Sequence, residues 1–122
     1  MTNTIFTQGD IWLASLNPQQ KSEPGKIRPV LIIQNQYLLD ANHSTTIVVP
    51  LTTNLIDDAE PLRIRIKAED KLEKNSDLLI DQVRAIDNSR FIGSPLLNIG
   101  LNKLNYVIEA LHQLIYIPET KD

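Results

Sequence analysis

Apolar positions along this chain follow three different rhythms. Val30-Leu31-Ile32-Ile33 is an unbroken aliphatic run, three of its four residues β-branched. It predicts a strand buried on both faces. Leu62-Arg63-Ile64-Arg65-Ile66 alternates strictly, predicting a half-exposed strand whose arginines lie on a solvated face. Further on, Leu101, Leu104, Val107, Ile108, Leu111, Leu114 and Ile115 keep the i, i+3, i+4, i+7 spacing of an amphipathic helix. Asn98 or Asn102 would cap that helix, and Pro118 would stop it.

The same reading fills in the rest. Residues 11–16 form a first strand, opened by Gly9-Asp10 and closed by the turn signal Asn17-Pro18. A polar loop over 19–27 contains Pro24-Gly25 and leads into a second strand over 28–34. Residues 36–41 give a short helical turn, 45–52 a third strand, and 76–86 another. Five or six short strands and one long terminal helix predict a mainly β, β-rich α+β fold: a small, strongly bent, mostly antiparallel barrel. Parallel βαβ units are disfavoured, because no long helical pattern separates the strands.

Composition narrows the class. A chain of 122 residues with 42% hydrophobic and 22% charged residues is an ordinary globular domain, here a single one over 1–122. No cysteine is present, which removes disulfides, thiol nucleophiles and thiolate metal ligands and is compatible with a cytoplasmic location. The start, Met1-Thr2-Asn3-Thr4-Ile5-Phe6, lacks the basic and apolar regions of a signal peptide. No apolar stretch approaches the ~20 residues of a membrane span. The net charge of −3 argues against bulk, nonspecific nucleic-acid binding. Charge is uneven, though: Lys21, Lys26 and Arg28 face one acid, Glu23, in the first loop, while Asp57-Asp58-Ala59-Glu60 is acidic. A basic mouth on an acidic body fits this distribution.

Most catalytic motifs are missing; there is no glycine-rich phosphate loop, HExxH or GxSxG. His43 and His112 lie far apart, and His112 falls within the helix as a surface residue. Asp57, Asp58 and Glu60 read as a solvated acidic turn before a metal site. What remains is polar material at strand ends: Arg28, Thr52-Thr53, and Asp81-Gln82-Val83-Arg84. Pro29 pushes Arg28 into extended backbone at the start of the buried strand. Two readings are open there: a rigidly placed fork that grips a phosphate, or a strand-end charge that solvates. Asp81 and Arg84 are likewise open between an ion pair and separate surface charges. Trp12 and Phe91 read as core or interface residues before base-stacking ones.

The order of these blocks is more specific than any one of them. Gly9-Asp10-Ile11-Trp12-Leu13, Ser22-Glu23-Pro24-Gly25-Lys26-Ile27-Arg28-Pro29-Val30-Leu31, Val48-Val49-Pro50-Leu51-Thr52 and Leu79-Ile80-Asp81-Gln82-Val83-Arg84-Ala85-Ile86-Asp87 follow one another in this order. Together with Ser89-Arg90 and the helix around Val107-Ile108-Glu109-Ala110-Leu111, they resemble the MazF/PemK family of toxin endoribonucleases over nearly the whole chain. One departure is Leu79, where some relatives have a basic residue.

The resemblance implies an SH3-like small barrel of the CcdB/MazF type and a cytoplasmic homodimer that cleaves single-stranded RNA at specific sequences. It implies no metal and no cofactor, and a cognate antitoxin whose disordered acidic tail occupies the RNA groove. It assigns Arg28 and Thr52 as the catalytic pair. It places Ser22, Glu23 and Lys26 in the loop that shapes the substrate groove, and Asp81 and Gln82 along the RNA site. RNA brings its own nucleophile, the 2′-OH, so Arg28 and Thr52 need only stabilise charge at phosphorus. Two rivals share this outline. One is a gyrase-binding toxin of the CcdB type, which relies on an aromatic residue near the C-terminus; here the last aromatic is Tyr116, at the end of the helix. The other is a catalytically silent dimer that binds only antitoxin or RNA.

Overall fold

Alternation and bulges together explain the architecture of the computed structural model, which describes residues 5–16 and 26–119. Among these residues the order is β1 (Asp10–Ser15), β2 (Ile27–Ile32), α1 (Gln36–Asp40), β3 (Thr45–Thr52), β4 (Arg63–Ile66), β5 (Ser76–Leu79), β6 (Arg84–Asp87), β7 (Phe91–Asn98) and α2 (Gly100–Ile115). All strand pairs are antiparallel. They build one sheet in the order β4-β5-β3-β2-β1-β7, with β6 also on β3. The Asn17-Pro18 turn, Ser22 and Glu23 lie outside the described residues.

Both faces of the sheet are covered, which is why the run from Val30 to Ile33 is aliphatic throughout. On one face Ile11, Leu31, Val49, Leu51, Ile64 and Leu78 meet Leu104, Val107 and Ala110 of α2. On the other, Trp12, Val30, Ile32, Val48 and Ile86 pack with Leu39 of α1, and Phe6 and Phe91 close over them. Trp12 touches both phenyl rings, at centroid distances of 5.1 and 5.9 Å, so Trp12 and Phe91 are core residues. Gln34, at the exit of β2, ties the β3 edge down. Its Nε2 donates to the Thr45 carbonyl, and its Oε1 accepts the Ile47 amide.

Two departures from the sequence reading matter. Residues 76–86 are not one strand. Leu51 of β3 opposes Leu78, whereas Val48 opposes Arg84. Three steps along β3 therefore face six along its neighbour, and three extra residues are looped out. Ile80–Gln82 form a 3-10 turn there, so the bulge lifts Asp81 and Gln82 off the sheet into solvent. The second departure is β7, which brings the strand count to seven. Gly93-Ser94-Pro95 hides its pattern, and it too is bulged: Ile11 opposes Leu97 while Leu13 opposes Ile92. Neither of the two candidate caps is the N-cap, which falls on Ile99 without a side-chain bond; Asn98, one residue earlier, accepts the Gly100 amide through Oδ1 at 2.8 Å, and Asn102 lies within α2. The helix ends at Ile115, ahead of Pro118.

Candidate active site

The strand registers bring the sequence candidates into one row. Ala14 of β1 opposes Arg28 of β2. Val30 opposes Pro50, Leu31 opposes Val49 and Ile32 opposes Val48 between β2 and β3; extended two residues beyond this pairing, the same register would set Arg28 against Thr52. Thr52 in turn opposes Asp77 of β5, and Asp77 opposes Arg65 of β4. Cross-strand neighbours share a face, so Arg28, Thr52, Asp77 and Arg65 lie along one side of the sheet. Arg28 is the second residue of β2.

A cleft of about 290 Å³ opens over this row, lined by Leu16, Lys26, Arg28, Pro50, Thr52, Arg63, Leu79, Gln82 and Arg84. Four expected site residues meet there: Arg28, Thr52, Lys26 and Gln82. Asp81 sits on the same looped-out turn as Gln82 but is not part of the cleft wall. Among the described residues the wall carries four cations and no carboxylate. Thr52 accepts the Asn54 amide through Oγ1 at 3.1 Å, which leaves its hydroxyl proton free to donate to a phosphate oxygen. The sequence reading missed Arg63 and left Arg84 unassigned. Alternation told it that Arg63 shares a face with Arg65, but not that this face borders a cleft.

The other end of the row is built differently. The Asp77 side chain is only 1% exposed, and Arg65 Nε donates to its Oδ1 at 2.6 Å. Arg65 also reaches Asp57 at 2.8 Å, and Arg63 Nη1 lies 3.4 Å from Asp77 Oδ2. The Ile56 amide donates to Asp77 as well, at 2.9 Å. Burial pushes the Asp77 carboxyl up, but the Arg65, Ile56 and Arg63 contacts outweigh it and hold it below the usual carboxylate range. The arginines of β4 are therefore not simply a solvated face: both engage a buried aspartate. Asp57 of the acidic turn is occupied by Arg65. His112 is exposed on α2.

Residues 7–115 match the PemK-like, MazF-like toxins of type II toxin–antitoxin systems. The chain belongs to this family. An endoribonuclease MazF of Staphylococcus saprophyticus is 42% identical over 88 residues, spanning 70% of this chain and 72% of that protein. Among solved structures, a MazE-MazF crystal structure from Deinococcus radiodurans superposes with a TM-score of 0.73 at 20% identity, over 92% of this chain and 96% of that one. A mycobacterial endoribonuclease in complex with its cognate antitoxin gives 0.67 at 18% identity, over 93% and 97%. These two likenesses show that the chain shares their fold. No helix among the described residues is long and apolar enough to cross a membrane.

Proposed function

We propose that this toxin is an endoribonuclease that cuts single-stranded RNA, with Arg28 and Thr52 at the scissile phosphate. The observation that carries this is the meeting of Arg28, Thr52, Lys26 and Gln82 in one cleft whose charged lining, among the described residues, is all cationic. In the reaction the 2′-oxygen forms a bond to phosphorus while the bond from phosphorus to the 5′-oxygen breaks. The 2′-OH loses a proton to a base, and the 5′-oxygen gains one. The products are a 2′,3′-cyclic phosphate and a 5′-OH. Arg28 offers a two-point grip on the non-bridging oxygens as charge builds there, and Thr52 donates a hydroxyl hydrogen bond to the same phosphate. Positive charge at the reacting phosphate comes from Arg28, with Lys26 and Arg84 in the same cleft wall. Ser22, Glu23, Asp81 and Gln82 take the flanking bases, read on their exposed edges.

An acidic peptide suits the same cleft, so a cognate antitoxin tail would compete with RNA for it. A homodimer would cover part of the apolar surface left in solvent. Sedimentation at micromolar concentration should give twice 13.8 kDa, and a strict monomer would count against a shared groove. For the activity, a long mixed-sequence RNA incubated with the chain in EDTA should be cut at defined sites. Equal cutting of a substrate with deoxyribose at the scissile nucleotide would rule out internal attack.

A further inference from the structure

We propose that Arg63, held in place by Asp77 and Asn54, is a second phosphate-binding residue that grips an RNA phosphate next to the scissile one. This deepens the reading of the cleft as an RNA site and rests on it.

Three observations carry the assignment. Arg63 lines the same cleft as Arg28 and Thr52. It is tethered there: Nη1 donates to the Asn54 carbonyl at 2.8 Å and lies 3.4 Å from Asp77 Oδ2. Its remaining guanidinium donors have no partner among the described residues, and its side chain is 20% exposed. A planar fork fixed along one edge and open along the other is arranged to accept an anion.

The charge balance of the cluster points the same way. Arg65 takes both Asp77 and Asp57. Arg65 satisfies Oδ1 of Asp77 and the Ile56 amide takes Oδ2, leaving Arg63 only the longer contact. Asp77 acts as a positioning residue: it orients Arg63 without quenching it. Position along the sheet separates the two arginines. Arg28 is on β2 and Arg63 on β4, three strands along the order β2-β3-β5-β4. At about 4.8 Å per strand, their backbones are on the order of 14 Å apart along the sheet. With Nη1 tethered near β5, Arg63 addresses a neighbouring phosphate while Arg28 holds the reacting one.

The test measures binding as a function of salt. The probe is an RNA oligonucleotide carrying the mapped cleavage site, with deoxyribose at the scissile nucleotide so that it binds without being cut. For the folded Arg63→Gln variant, which keeps a donor for the Asn54 carbonyl but loses the charge, Kd should rise about tenfold. The slope of log Kd against log salt should fall by about 0.7, the share of one single-strand phosphate. Asp77→Asn should weaken binding while keeping the wild-type slope, because the charge is retained and only its orientation is lost. An Arg63→Gln slope equal to that of the wild type would overturn the assignment while leaving the RNA-cleaving reading intact. If Arg63→Gln does not fold, Arg63→Lys takes its place: a wild-type slope with weaker binding supports the two-point grip, and an unchanged Kd refutes it. A wild-type chain that neither cuts nor binds RNA would remove the reading of the cleft and this inference with it.

Discussion

Arg28 and Arg65 stand in the same cross-strand row of one sheet face and serve opposite ends. Arg65 is neutralised by Asp77 and Asp57. Arg28 has no carboxylate partner among the described residues and opens onto a cleft of like charges. A paired arginine holds strands together. On the proposed reading, one without a carboxylate partner among cations has self-repulsion that an incoming phosphate relieves. On that reading the three arginines form a series: Arg65 is held by two carboxylates, Arg63 is tethered by Asp77 yet lines the cleft, and Arg28 lines the cleft among cations.

The sharpest break of that comparison is Arg28→Ala. Cleavage in single turnover should fall by about 10²–10³-fold, the usual worth of one donor to a developing anion. The variant should keep its fold, because a half-exposed arginine without an ion pair supports little packing. Arg28→Lys should recover only part of the rate. Thr52→Ala should act in the same direction, and the double variant should be far less than multiplicatively worse, since both groups serve one phosphate. Near-normal turnover by Arg28→Ala would sink the mechanism.

At the other end of the row the expected loss is in stability. Asp77→Ala removes the acceptor of Arg65, Arg63 and the Ile56 amide, and should cost about 2–3 kcal/mol in urea unfolding. Arg65 is 34% exposed and keeps Asp57, which places the cost at the low end for a buried pair. The effect carries a pH signature. The folded-state pKa of Asp77 is depressed below its ordinary value of 3.8. Its contribution is therefore fully present above that value and drains away as pH falls through the lower folded-state pKa. The stability gap between wild type and Asp77→Asn should be constant near neutrality and close below about pH 4. A gap that stayed constant into strong acid would mean that the carboxylate charge is not what the cluster uses.

The smallest effects belong to the looped-out turn. Gln82→Ala should weaken binding or alter base preference by a few-fold, and Asp81→Ala, outside the cleft wall, by less. Both should leave the chemical step largely in place, because groove contacts that do not touch the reacting phosphate act equally on ground and transition states. Loss of single-turnover cleavage at saturating RNA in either variant would reverse this division of roles.

Much of this was legible in the residues themselves. Val30 to Ile33 had to be buried on both faces because nothing in the run tolerates water, and helix α2 followed from a period no strand can use. Arg28 and Thr52 were picked out as candidates because their blocks occur in the order of the MazF/PemK family. Chain order, however, says nothing about register. Only the paired strands show that Thr52 lies between Arg28 and Asp77, and that three extra residues after β5 raise Gln82 over the cleft. The alternation of residues 62–66 fixed which side chains share a face. Whether that face meets water, an aspartate or a cleft depends on Asp77, fourteen positions from Arg63. Local sequence sets periodicity through backbone geometry, whereas charge pairing and cleft walls arise from strands that meet only once the sheet has curled.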